Sequence, residues 1–416
     1  MALDSLQVVL LLPQLLHSLC QSSSSWLAMR LHLSLGGLVT TAVATNLYVS
    51  SYIGTITTLQ LSQAQNGSYA LKQVAINNGS APNPSWLTLD STNGVLYCAD
   101  EGLYVPDGSI SSYSTSPSGQ LKQIDRHTVI SGPVHSVVYN DGKAQAFAHY
   151  TGSSVTTFSI LASGGLQSLQ NFTYTMSSPG PNPSRQEAPH PHEALLDPTG
   201  SFVLVNDLGA DLVRVYSIDK KTSELIESTP FHAPPGSGPR HGSFLVSGNQ
   251  TFYFLISELG NTIASYKLSY GNASLEFTQV FRSGTYGNHT VPTGAAAAEC
   301  LVSPDHKFLL TSSRNDSLFH IDNFDANNST KIPSDTLQTW EINPYTGELA
   351  FKQLSPAGGL FPRQFSVNKL GDLVAVGLQN SGRVVIVQRD IKTGTYGKFV
   401  AEIDIPGQVT SVVWDE

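Results

Sequence analysis

The sequence predicts an all-β fold, a seven-bladed β-propeller in which one blade is closed by strands from both ends of the chain. Three observations carry that prediction. The 416 residues include 35 Gly and 23 Pro, and only 13% are charged, a balance suited to many short strands and tight turns rather than to long helices laced with ion pairs. A unit of apolar strand, Asp-Pro-x-Gly turn, apolar strand, Gly-containing turn and third strand is legible at 189–219, "PHPHEALLDPTGSFVLVNDLGADLVRVYSID". That order recurs along the chain at the period of about 40–50 residues plus insertions that marks a propeller.

Taken in order, residues 1–44 read as a leader. Met29-Arg30 is followed by the apolar stretch "LHLSLGGLVTTAVA", with Ala42 and Ala44 spaced as a signal-peptidase site requires. Met29 reads as the true start, because the preceding apolar run "LQVVLLLPQLLHSLC" has no basic side chain before it and is interrupted by Pro13. Neither run approaches the ~20 residues of a membrane span. The expectation is a secreted chain beginning at Thr45, with 45–416 as a single propeller domain and no stable membrane insertion.

The first strands, "NLYVSSYIG" and "TITTLQL", lack an inner partner of their own. Full units follow from Asn83, Gly132, Pro189, Gly238, Ala297 and Phe361, and "GQVTSVVWDE" restarts the unit near Val409. Joining that last strand to the first ones supplies a seventh blade and removes the free sheet edges. Segments between units, such as "SSPGPNPSRQEAP" and "HAPPGSGP", are too rich in Pro and Gly for the crossover helices of a parallel α/β fold.

A net charge of −9 with no basic stripe excludes a nucleic-acid partner, so any small anionic substrate must be held by a few local Arg residues. Cys98 and Cys300 are expected to be free, buried thiols, since a chain this long buries enough core without disulfides. Nine Asn-x-Ser/Thr acceptors occur, at Asn66, Asn78, Asn171, Asn249, Asn272, Asn288, Asn315, Asn327 and Asn328, an excess consistent with a secreted glycoprotein. No His-x-Glu, Cys-x-x-Cys or Gly-rich nucleotide motif points to a metal or an organic cofactor.

In a propeller, equivalent repeat positions form rings around the channel. The start of the inner strand is laid down as Trp86, His135, His192 (with His190), Arg240 (with His241), Glu299 and Arg363. The end of the second strand carries Asp100 or Glu101, His149, Asp207, Glu258, Arg314 and Gln379. Both positions lie at one end of the channel. A ring mixing His, Arg and Glu there suits an anionic substrate and acid/base chemistry.

The strings "PHPHEA", "GSGPRHGSF", "SELGNT", "AAECLVSPD" and "SSRND" together resemble the lactonase-type propellers, the family of 6-phosphogluconolactonase and carboxy-cis,cis-muconate cyclase. The resemblance implies a catalytic set of His192, Arg240, Glu258 and Arg314. His190, His241, Glu299, Arg363 and Asp207 are the neighbouring candidates for substrate binding. Lactone hydrolysis needs a base, here Glu258 or His192, and positive charge at the developing oxyanion, here Arg240 and Arg314. The same parts would serve the cyclase, and a non-catalytic carbohydrate-binding glycoprotein is the third reading. Family members often have a Gly-His pair before Asp-Ser where this chain has Asn315 before Asp316-Ser317, so the family's substrate contacts from that loop are not carried over.

Overall fold

The computed structural model describes residues 44–416, and the leader expectations lie outside these residues. Seven four-stranded antiparallel sheets surround a central channel, as the repeats predict. Their innermost strands are Pro84–Asp90, Pro133–Tyr139, Pro191–Leu196, Pro239–Ser247, Ala296–Val302, Pro362–Val367 and Val409–Trp414, here numbered blades 1 to 7. Blade 3 adds the short strand Phe231–His232 at its edge, and blade 5 carries an inserted hairpin, Phe319–Asp322 with Lys331–Ser334.

Burial explains the strand sequences. The second strands, such as Val95–Asp100, Phe202–Asp207 and Leu373–Leu378, are buried at every position, because blades cover them on both faces. They accordingly read as continuous apolar runs. Outer strands such as Lys122–Val129 and Leu166–Thr173 alternate in exposure, since only one of their faces meets a neighbour. The core is therefore seven apolar layers, each between adjoining blades. One layer joins Leu47, Val49 and Trp414 to Ala375 and Ile386, and the opposite side of the ring joins Tyr139 and Ala148 to Val203 and Tyr216. Cys98 and Cys300 are free and buried, as expected.

Ring closure is as the terminal strands imply. Val409–Trp414 pairs antiparallel with Ala44–Ser51, which is followed outward by Thr55–Gln63 and Tyr69–Asn77. Each blade's inner strand starts, and its second strand ends, at the same mouth of the channel. The loops after second strands and the connections between blades share that face.

Removing Gly407–Glu416 would strip the inner strand of blade 7, together with Val409, Val412 and Trp414 of its apolar layer. The truncated chain is expected to aggregate or to be cleaved within the exposed blade. Limited proteolysis and thermal melting check this, and an unchanged melting temperature contradicts the closure.

Candidate active site

The mouth is shaped by one irregularity repeated around the ring. Five inner strands begin with Pro, which offers no N–H to the ladder, and in each the register shifts by one residue immediately afterwards. The unpaired residue is Ser85, Val134, His192, Arg240 or Arg363. Blade 7 does the same at Thr410, and in blade 5 the shift lies between Ala297 and Cys300, around Glu299. A bulge bends the strand and re-aims the extra side chain, here at the channel mouth.

This corrects the predicted ring. Trp86 and His135 pair with Ala99 and Ala148, one place after the bulge, and so correspond to Glu193, His241 and Gln364 rather than to His192, Arg240 and Arg363. The mouth thus has two tiers, one around the bulged Arg240 and Arg363 and the other around Glu193 and His241, which follow their bulges, together with Glu299 from the bulge of blade 5.

In the first tier a single carboxylate gathers three arginines. Glu258 Oε2 lies 3.0 Å from Arg240 Nε and 2.7 Å from Arg314 Nη2, and its Oε1 accepts a bond from Arg185 Nη2 at 2.7 Å. Arg240 also donates to the Ala298 carbonyl at 2.6 Å, and Arg314 to those of Ala296 and Ala297 at 3.3 and 3.2 Å. Burial alone would raise the Glu258 carboxyl, but the charges of Arg314, Arg240 and Arg185 overcome it and hold it at about 2. Burial and the adjacent Arg314 charge loosen the Arg240 proton, although a guanidinium stays charged at neutral pH. Across the channel Arg363 donates to Glu101 Oε1 at 3.0 Å and to Ser85 Oγ at 2.7 Å, and it also contacts the Tyr52 hydroxyl.

The second tier is imidazole and carboxyl. His241 Nδ1 lies 2.7 Å from Glu299 Oε1 and 3.6 Å from Glu193 Oε1, and its ring centre is 5.1 Å from that of His192 and 5.4 Å from that of His135. Trp86 covers His135 at 4.0 Å. Burial, with the nearby guanidinium charges, pushes His192 and His241 well below the ordinary histidine range, so both are neutral. His192 Nδ1 and His241 Nε2 have no hydrogen-bond partner among the described residues. Burial and the Glu299 charge push Glu193 well above the usual carboxyl range.

One ligand atom from each of His135, Glu193 and His241 lies within 4.8 Å of the others, close enough to share one cation, and Glu193 Oε1 is 3.8 Å from His135 Nε2 and 3.6 Å from His241 Nδ1. The tautomers argue otherwise. His135 Nδ1 accepts the Ala194 N–H at 3.4 Å, which puts the ring proton of neutral His135 on Nε2, and His241 Nδ1 is already engaged by Glu299.

Not every predicted residue reaches the channel. Asp207 is fully buried and holds the His190 and Ala210 amides and both donors of Arg214, so it fixes the turn rather than facing a ligand. His149 is bonded to the Ile130 carbonyl and the Thr156 hydroxyl. His190 stacks on Tyr150 at 4.2 Å and reaches Glu187 at 3.1 Å, within the rim loop. Arg185 was missed, because its Pro-rich segment reads as a connector. A lone Arg in the loop before "PHPHEA" was the available signal. Arg240 and Arg314 both stand at the mouth and neutralise Glu258.

Glu258→Gln is therefore expected to cost about 3–5 kcal/mol at pH 7, the scale for breaking a buried pair. Because the folded carboxyl is held at about 2 against an ordinary 4.5, its contribution is full above pH 4.5 and fades towards pH 2. Urea midpoints of the native chain and the variant should differ most at neutral pH and converge in acid. Equal midpoints at pH 7 contradict the assignment.

Comparisons agree with the fold and with the family resemblance. The family model described as lactonase, 7-bladed beta-propeller matches residues 46–414. A probable 6-phosphogluconolactonase of Arthroderma benhamiae is 30% identical over 90% of this chain and 91% of its own length. The 6-phosphogluconolactonase of Bacillus subtilis is 26% identical over 78% and 85%. Among solved structures, the periplasmic gluconolactonase of Pseudomonas aeruginosa superposes with a TM-score of 0.74 at 25% identity, covering 89% of this chain and 99% of that one. With the repeats, the ring closure and these matches in agreement, the chain belongs to the lactonase family of seven-bladed β-propellers.

Proposed function

We propose that this protein hydrolyses a small sugar-type lactone to its hydroxy acid at the channel mouth, and that it does so outside the cell. The observation that carries the reading is the convergence of Arg240 and Arg314, from adjacent blades, on one oxygen of Glu258, close to the neutral imidazole of His192. Family membership, and the lactonase names of the relatives, supply the reaction class.

The sequence left the base open between Glu258 and His192, and the geometry favours His192. A carboxylate held at about 2 and paired with three guanidiniums is occupied by those ion pairs, whereas the His192 imidazole, although burial and the arginines lower its proton affinity too, is neutral and carries no carboxylate or guanidinium partner. Glu258 instead holds Arg240 and Arg314 in place. Their donors are then fixed before substrate arrives, which is what makes charge stabilisation of an oxyanion effective. Water, losing its proton to the His192 imidazole, adds to the lactone carbonyl as negative charge grows beside the two guanidiniums.

Four arginines, Arg185, Arg240, Arg314 and Arg363, face two carboxyl side chains, Glu258 and Glu101. That excess of positive charge suits an anionic substituent on the substrate. Secretion is supported by the leader motif and by the acceptor asparagines, all nine of which are exposed. Phosphorylated sugars are scarce outside cells, so an unphosphorylated or carboxylated lactone fits the location better than 6-phosphogluconolactone. Glycans are expected on Asn66, Asn78, Asn171, Asn249, Asn272, Asn288 and Asn327, of which Asn78, Asn288 and Asn327 stand on loops of the mouth face, and an open mouth requires Asn315, directly beside Arg314, to be unmodified.

The purified chain is expected to hydrolyse δ-gluconolactone above the spontaneous rate, and a muconate in the same panel tests the cyclising direction. Arg240→Ala and Arg314→Ala should each lower kcat/KM by ~10²–10³. They should also lower stability, because each leaves Glu258 with one partner fewer. Normal turnover in both variants, or binding of sugars without turnover in the native chain, contradicts the proposal.

A further inference from the structure

Lactone opening moves two protons. One leaves the attacking water, and the other must reach the ring oxygen as its bond to the carbonyl carbon breaks, because an alkoxide is a poor leaving group. His192 accounts for the first. Nothing described so far supplies the second.

The second tier does. His241 and Glu299 are buried and 2.7 Å apart through Nδ1 and Oε1, while His241 Nε2 and Glu299 Oε2 have no partner among the described residues. Glu299 Oε1 also accepts the Cys300 N–H at 3.0 Å. The pair lies 5.1 Å, between ring centres, from His192. Around it stand Arg240, Arg314, Arg363, Glu258, Glu193, His135 and the Cys300 thiol.

Resting on the lactonase reading, we propose that His241, backed by Glu299, is the proton donor to the leaving ring oxygen. Before reaction Glu299 is a carboxylic acid donating to His241 Nδ1, so the imidazole carries its own proton on Nε2. When the carbonyl carbon–ring oxygen bond breaks, its electron pair goes to the oxygen, which takes the Nε2 proton. The Glu299 proton passes to Nδ1 in the same movement. A carboxylate then remains, accepting Nδ1–H and the Cys300 N–H. His192, protonated by the water, returns that proton to Glu299 through solvent after the hydroxy acid leaves. One water is consumed and no oxidant or reductant is needed. Burial raises the Glu299 carboxyl to about 8, against the Cys300 N–H and the Arg240 charge, so the acid form prevails at neutral pH and is lost above it.

The test compares two δ-lactones. δ-Valerolactone expels an alkoxide and needs the donor, whereas dihydrocoumarin expels a phenoxide and needs it far less. Glu299→Gln keeps a hydrogen bond to His241 but supplies no proton. It should lower kcat on δ-valerolactone by ~10² with KM little changed, and should barely slow dihydrocoumarin. The alkaline fall in native kcat near pH 8 should vanish in the variant. His241→Asn, read on the same two substrates beside melting curves for both variants, covers the case in which Glu299→Gln does not fold. Equal losses on the two lactones, or an alkaline limb retained in Glu299→Gln, overturn the donor while leaving the lactonase reading intact. A native chain that hydrolyses neither lactone overturns both.

Discussion

One extra residue at the start of each inner strand organises this molecule's mouth. Without the bulge, the antiparallel register would run unbroken from the channel outward, and side-chain alternation would send His192, Arg240 and Arg363 to other faces. The initial prolines make the irregularity inexpensive, because a residue without an N–H gives up no ladder bond. Blade stacking then fixes the bulged side chains in space, since each inner strand is anchored by a second strand buried on both faces. The scaffold is thus regular where it must be stable and irregular where it must present chemistry.

The electrostatics follow from that placement. Arginines from two blades and from a rim loop would repel one another in a partly dry channel, and Glu258 relieves the repulsion by touching all three. Burial, reinforced by the same positive field, keeps His192 and His241 neutral. Deeper in the channel, burial outweighs that field at Glu193 and Glu299, whose carboxyls move in the opposite direction from Glu258. Carboxyls of one chemical type, a few residues from shared arginines, are thereby driven apart in proton affinity. Such divergence is how one site assigns holding and proton-giving roles among like side chains.

The fold was legible because its signals are local and repeated. Apolar runs such as "FVLVND" are continuous since both faces are covered, and the Asp-Pro-x-Gly turn marks where the unit reverses. The terminal blade could be read from "GQVTSVVWDE" because a propeller needs an inner strand at every position. The site was only partly legible. Glu258, Arg314, Arg240 and His192 fell out of the repeat positions, but the bulge leaves no composition signal, so Trp86 and His135 were aligned one place early. Asp207 shares a repeat position with Arg314, yet its short side chain turns back to cap local amides, a choice that depends on the loop. Arg185 lies outside the repeat altogether, and only the three-dimensional return of its loop brings it to Glu258.

The central claim is that the lactone carbonyl is polarised by the arginines that Glu258 holds. The most direct measurement is a crystal structure of this protein with a δ-lactam, which keeps the ring and carbonyl but resists hydrolysis. The account predicts the lactam at the channel mouth, with its carbonyl oxygen about 2.7–3.1 Å from a guanidinium nitrogen of Arg240 or Arg314 and its carbonyl carbon on the side of the His192 ring. A lactam bound elsewhere on the propeller, or one at the mouth with its carbonyl turned away from both arginines, would contradict it.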